Sequence, residues 1–435
     1  MIINYTNSQI PLDDCKKQFT ILAPEIANCR NIINENCFSS SYAFLNLPKQ
    51  NLEPIIALIN QKKSLKPSLL VVIGIGGSNL GTLAVQEALY GKLYNEMNPE
   101  VNIYYADTVD TEYTAALLVI MKEHLQQQKV GLINVVTKSG TTTETIANFE
   151  IFLALLMQFH PTNYRDYVVI TTDKDSVLWN KAKEEHYALL EIPKFVGGRF
   201  SVLSAVGLFP LGMIGCNLEQ LLFGAQSILA YGTSPIFEEN KAAITASIMY
   251  EQLKQGITIQ DMFLFSVNLE GLGKWYRQLM GESIGKEFDK QGKKVAVGIT
   301  PTVSIGSIDL HSVGQLYLGG PRDKNCSFIS IEDNKKELLV SDISPFNELV
   351  PGITKKSFST IMDAILQGVK LAYQKQQRPF ISITLPECNE YYIGQFLQYK
   401  MIEIVYLGYL FNVNPFDQPQ VELYKKETRT ILGQD

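Results

Sequence analysis

VVIGIGGSNLGTLAVQEAL, residues 71–89, carries an apolar run into a cluster of glycines and then into a helical pattern. The run SLLVVIGI (68–75) is bounded by Pro67 and glycine and reads as a buried strand. A strand–glycine–helix turn can hold phosphate, because free amides and the positive end of the helix dipole point at one place. Ser78 follows two glycines, and the helix starts near Asn79 or Leu80, so a hydroxyl and amides can converge on an anion. The dinucleotide fingerprint G-x-G-x-x-G fails, because the third glycine position counted from Gly74 holds Asn79. Asp107 stands at the end of the next strand, about where a ribose-binding acid would lie, which keeps a dinucleotide reading open. There is no G-x-x-x-x-G-K-[ST], which argues against a Walker-type NTPase. A tight turn with no ligand is the plain alternative.

The same strand character recurs at 101–107 (VNIYYAD), 130–138 (VGLINVVTK) and 166–173 (DYVVITTD), with helical patterns between. It then restarts at 261–268 (DMFLFSVN), 293–300 (KKVAVGIT), 326–333 (CSFISIED) and 379–387 (PFISITLPE). Helices are expected to enter at Pro54 and to fill 355–376. Alternating strands and helices imply an α/β fold, with parallel sheets covered by helices on both faces. The expected division is a helical segment 1–61, a first α/β unit 62–215, a helical connector 216–255, a second unit 256–415 and a tail 416–435. No residue-level repeat links the two units.

Composition fits a soluble globular protein, with 46% apolar and 19% charged residues among 435. A net charge of −6 argues against a nucleic-acid or anionic-membrane binder. The six cysteines are scattered without C-x-x-C spacing and read as reduced thiols of a cytoplasmic protein. The four histidines are far apart with no H-E-x-x-H, so no dedicated metal site is expected. MIINYTNSQIPLDDCKK lacks a basic stretch followed by an apolar core, so no signal peptide is expected.

A second loop shifts the balance. INVVTKSGTTTETIANF (133–149) again runs strand, glycine, helix, and carries Thr137, Ser139, Thr141, Thr142 and Thr143. One hydroxyl suffices for a helix cap, whereas five beside a glycine suit a phosphate monoester. Lys138 adds a positive charge. A small phosphorylated ligand between the loops after the first and third strands is therefore favoured. Arg199, in VGGRFSVLSAVGLFPLG, lies between a glycine pair and an apolar stretch, where a paired or anion-facing guanidinium is expected. Glu282 follows an apolar segment in GESIGK; a glutamate sheltered from water has a raised pKa and can act as a base. His311 is the histidine in a glycine-flanked, turn-rich setting, and NPFDQPQVELYKKE (414–427) carries Asp417, Gln418, Glu422 and Lys425.

Taken in order over residues 70–427, IGIGGSNLG, TKSGTTTET, VGGRFSVLSAVG, GESIGK, DLHSVGQLYLGG and NPFDQPQVELYK resemble the phosphoglucose isomerase family of the bacterial type. The resemblance implies two SIS domains, a homodimer, a hexose 6-phosphate substrate, and a cis-enediol route between glucose and fructose 6-phosphates with no cofactor. By motif it implies Glu282 as the base between C2 and C1, and Arg199 as stabiliser of the enediolate. It assigns ring opening to His311, brought from the neighbouring subunit, and to Lys425. Gln418 would contact substrate and Glu144 would orient the histidine. Gly77, Ser78, Lys138, Ser139, Thr141 and Thr142 fall on its phosphate-holding loops. Gln420 departs from the pattern, which usually has glycine there. Another SIS isomerase, such as one also accepting mannose 6-phosphate or an amino-sugar phosphate, and a non-catalytic sugar-phosphate sensor are the rival readings.

Overall fold

The computed structural model describes residues 1–346 and 348–433. The chain opens with a three-residue strand, β1 (Ile2–Asn4), before the helix Leu12–Asn34 and the helix Glu53–Ser64, which has a proline in its first turn. The first sheet follows: β2 (Pro67–Ile73), β3 (Asn102–Ala106), β4 (Val130–Thr137), β5 (Val168–Asp173) and β6 (Ala188–Ile192). All are parallel, in the order β3-β2-β4-β5-β6. β2 and β4 are buried along nearly their whole length, which is why they read as unbroken apolar runs.

The chain then passes through the helices Ala205–Met213, Leu218–Gly232 and Lys241–Lys254 to β7 (Ile259–Leu264). A hairpin of β8 (Lys286–Phe288) and β9 (Lys294–Val297) precedes β10 (Thr300–Ile305), β11 (Lys324–Asp333) and β12 (Phe380–Glu387). The second sheet runs β1-β12-β11-β7-β10, parallel except for β1. Each sheet thus sets its first strand between the second and third, with the fourth beyond the third. The fifth place is filled by β6 in one sheet and by β1 in the other. The fold is two parallel sheets flanked by helices.

Three elements differ from the sequence expectation. Residues 293–299 do not enter the second sheet; Lys294–Val297 form the exposed hairpin strand, and the sheet strand is Thr300–Ile305. The polar look of β10 has a structural cause. Thr302 and Ser304 both donate to Asp261 on the neighbouring β7, at 2.6 and 3.0 Å, and Tyr317 adds a third hydrogen bond at 3.0 Å. The edge strand β6 lies outside the expected strands, and segment 1–61 contributes β1 besides its helices.

The helix Glu390–Leu410 is buried almost all round and packs against the helices Leu218–Gly232, Lys241–Lys254 and Glu270–Ile284. Its interior includes a Lys400–Glu403 ion pair at 2.9 Å, with Glu403 also accepting from Tyr276 and Thr245. A buried pair of this kind is tolerable because Glu403 is multiply hydrogen-bonded and the Lys400 ammonium also lies 4.7 and 5.0 Å from the ring centres of Tyr276 and Tyr399. No helix among the described residues is long and apolar enough to cross a membrane.

Asp261 is fully buried, and its second carboxylate oxygen has no hydrogen-bond partner among the described residues. Desolvation raises its pKa, against the pull of the three hydrogen bonds. Such a group contributes stability that is full below its unfolded pKa and is lost as pH rises toward the folded one. Asp261→Asn keeps an acceptor for the three hydroxyls without an ionisable oxygen. Its melting temperature should match the parent near pH ~4 and exceed it increasingly toward pH ~7. Thermal unfolding across that range measures the gap, and a constant or shrinking gap contradicts the assignment.

Candidate active site

The site begins where β2 and β4 end. These strands pair in parallel, with Ile73 opposite Val135, so their following loops leave one sheet edge side by side. β3 lies on the other side of β2, so the chain's connections diverge there, at the kind of switch point where open α/β sheets bind ligands. After β2 the turn Gly76–Ser78 leads into the helix Leu80–Tyr90. After β4 the loop leads into the helix Thr143–Phe159.

The second loop gathers its hydroxyls. Thr137 and Thr142 Oγ1 atoms are 2.9 Å apart, Ser139 Oγ lies 3.4 Å from Thr142 Oγ1, and the Thr141 amide donates to Ser139 Oγ at 3.3 Å. Thr137 is buried at the base, while Ser139 and Thr141 are exposed at the rim. The Lys138 ammonium donates to the Val196 carbonyl at 2.9 Å, tying this loop to the segment that carries Arg199. Burial lowers the Lys138 pKa.

That segment closes tightly on the first loop. A Cβ placed on Gly77 would sit 2.2 Å from the Gly198 carbonyl carbon, so only glycine permits the approach. Gly76 has φ +60°, the left-handed region that makes the turn. Arg199, next to Gly198 in the turn Gly198–Phe200, is 2% exposed.

All five N–H groups of Arg199 are used. Nε donates to Ser283 Oγ at 2.8 Å, and Nη1 to Glu282 Oε2 at 3.1 Å and Gln418 Oε1 at 2.6 Å. Nη2 donates to the carbonyls of Pro415 at 2.6 Å and Asp417 at 3.0 Å. Burial works to lower the pKa of this cation, while Glu282 and then Asp417 oppose the shift. Glu282 sits in the last turn of the helix Glu270–Ile284, with its side chain 31% exposed. Its other oxygen, Oε1, accepts from Gln278 Nε2 at 3.0 Å. The same Gln278 nitrogen would lie 3.1 Å from a Cβ on Gly76, so the carboxylate stands beside the first loop. The result is a reachable carboxylate fixed on both oxygens, next to a desolvated cation and two hydroxyl-lined loops.

Other candidates stand apart from this cluster. His311 is exposed at the end of the turn Ile308–His311 after β10, and no hydrogen bond or ion pair among the described residues joins it to Glu282 or Arg199. Glu144 lies half-buried in the first turn of Thr143–Phe159. Lys425 lies on the helix Val421–Ile431, none of whose residues is buried, and pairs with Glu422 at 2.7 Å. Gln420 donates to Glu287 at 2.7 Å, fastening the tail to β8.

Sequence reasoning passes over Gln278, Ser283 and Lys286. Gln278 has one usable signal, since it lies four residues before Glu282 on the same helix and therefore on the same face.

A family model described as phosphoglucose isomerase matches residues 61–435. A glucose-6-phosphate isomerase of Carboxydothermus hydrogenoformans is 33% identical over 90% of this chain and 85% of its own. One of Fusobacterium nucleatum is 34% identical over 86% of this chain and 82% of its own. Among solved structures, a hypothetical protein from Thermus thermophilus superposes with a TM-score of 0.86 at 30% identity, covering 99% of both chains. A glucose-6-phosphate isomerase from Chlamydia trachomatis shares the fold, with a TM-score of 0.75 at 23% identity over 88% of this chain and 73% of that one. With its two parallel sheets, its loop pair and its Glu282–Arg199 cluster, the chain belongs to the phosphoglucose isomerase family.

Proposed function

We propose that this protein interconverts glucose 6-phosphate and fructose 6-phosphate by carrying a proton between C2 and C1 through a cis-enediol. The observation that supports this most is the Glu282 carboxylate, held by Gln278 and Arg199 beside the Gly76–Ser78 turn. Moving a proton next to a carbonyl needs one base near the carbon and positive charge where the enediolate oxygen develops. Glu282 is the base in this reading, and Arg199 Nη1, the nitrogen that faces both Glu282 and Gln418, is the electrostatic stabiliser. The substrate oxygen would take a place shared with these two acceptors, since no N–H of Arg199 is otherwise free.

Ser78, Ser139, Thr141 and Thr142, with the Gly77 backbone and Lys138, are the proposed phosphate holders. An anchored phosphate supplies remote binding energy that positions the sugar over the base. Ring opening is assigned to His311 and Lys425, Glu144 orients the histidine, and Gln418 contacts the sugar. Isomerisation oxidises one carbon and reduces its neighbour, so the chemistry is balanced without a cofactor. The working form is a homodimer in which His311 serves the neighbouring site; the exposure of His311 and its separation from the Glu282 contacts favour this. A cytoplasmic setting agrees with six cysteines that are all free thiols.

Fructose 6-phosphate added to the purified protein should yield glucose 6-phosphate in a coupled assay, with or without a chelator. Glu282→Gln should keep phosphosugar binding and lose at least ~10²-fold in kcat, the low end for general-base catalysis. Full turnover in that variant removes the proposed mechanism. The shared site has its own test. Inactive Glu282→Gln and His311→Ala chains, unfolded together and refolded, should recover up to about a quarter of parental activity, because half the dimers are mixed and each then holds one intact site. If both groups came from one chain, no activity would return.

A further inference from the structure

We infer that Lys286 is a positioning residue: with Asp417 it fixes the 414–418 turn against Arg199, so that Glu282 and Gln418 stay together on one guanidinium nitrogen. The inference rests on the reading of Glu282 as the base.

Lys286 follows Glu282 by four residues, at the start of β8, and its side chain is only 6% exposed. Its ammonium donates to the Asp417 carbonyl and to Asp417 Oδ1, the latter at 2.8 Å. The other Asp417 oxygen accepts from Asn414 Nδ2 at 2.9 Å. The Asp417 carbonyl is thus shared by two cations, since Arg199 Nη2 also donates to it at 3.0 Å. Three of the five Arg199 donors end on this turn, at Pro415, Asp417 and Gln418. Outside these polar contacts, the turn is held by Phe416, whose ring lies 4.8 Å from that of Tyr42 and 5.5 Å from that of Phe200.

A side chain this buried could be apolar if packing were its whole task. An ammonium instead directs its protons, and both ends of Asp417 receive them. The charges of the cluster also balance, with Lys286 and Arg199 against Glu282 and Asp417. Without Lys286, the Asp417 carboxylate loses its partner on Oδ1 and becomes a competitor to Glu282 for Arg199. A small displacement of a base or its stabiliser costs far more in rate than in affinity, because phosphate anchoring lies on other loops. Beside Lys286 a cleft of about 460 Å³, lined by Glu287, Lys290, Asn414 and Gln420 among others, leaves room for a longer cation.

The test compares Lys286→Met, Lys286→Arg and Asp417→Asn with the parent in the fructose 6-phosphate assay, alongside Glu282→Gln. Lys286→Met should lower kcat ~10- to 10²-fold while KM changes less than ~3-fold, the pattern of lost transition-state positioning. Lys286→Arg should restore most of the rate, and Asp417→Asn should lower kcat with KM held. A purely structural lysine would shift the melting temperature without this split or this rescue. Parental kcat in Lys286→Met, a parallel fall of kcat and substrate affinity, or no gain from Arg over Met overturns the inference. Should Lys286→Met fail to fold, Asp417→Asn decides, and a parental kcat there overturns it. These failures, with Glu282→Gln inactive, leave the isomerase reading standing; a fully active Glu282→Gln takes down the reading and the inference together.

Discussion

Arg199 joins parts of the chain that lie far apart in sequence. Its guanidinium reaches Ser283 and Glu282 on one helix and Pro415, Asp417 and Gln418 on the tail, while its backbone touches the first glycine loop through Gly198. A buried guanidinium is costly unless every N–H is answered. Here each is, so the cost of desolvation becomes geometric specificity: few arrangements of five acceptors satisfy one planar fork. The position of the carboxylate and the turn before the last helix follow from meeting that demand.

The remaining architecture serves this junction. Parallel pairing of β2 with β4 sets the hydroxyl loop beside the glycine turn. The helix Glu270–Ile284 leaves the second sheet and delivers Gln278, Glu282 and Ser283 to the edge of the first. Behind it, the buried helix Glu390–Leu410 and its Lys400–Glu403–Tyr276 contacts give that helix a rigid backing. A carboxylate held by such packing keeps its geometry, which is the condition for electrostatic stabilisation without reorganisation.

Much of this is legible in the residues. The apolar runs of β2 and β4 mark a buried parallel sheet, and the crowd of hydroxyls at 137–143 marks the hydroxyl-lined loop that follows β4. The second sheet is harder to read, because Thr302 and Ser304 of β10 look like loop residues until Asp261 is seen to accept from both. β1 offers three residues and no context. Family motifs single out Glu282, Arg199 and Gln418, but their meeting across 83 and 219 residues of sequence is a tertiary fact. Lys286 looks like any lysine after a glycine; its contact is with Asp417, 131 residues away. Lys425 and His311 carry motif signals, yet one chain leaves His311 exposed and Lys425 half-buried, both outside the Arg199 cluster.

β1 has a further consequence, for the timing of assembly. Residues 2–4 emerge from the ribosome long before residues 380–387, the strand they pair with. Until then residues 2–4 lack the strand they pair with. Closing so long a loop is slow although its equilibrium cost grows only with the logarithm of its length. The outer edge of the second sheet therefore cannot be completed before β12 is made, and chain termination before β12 would leave residues 2–4 without their sheet partner.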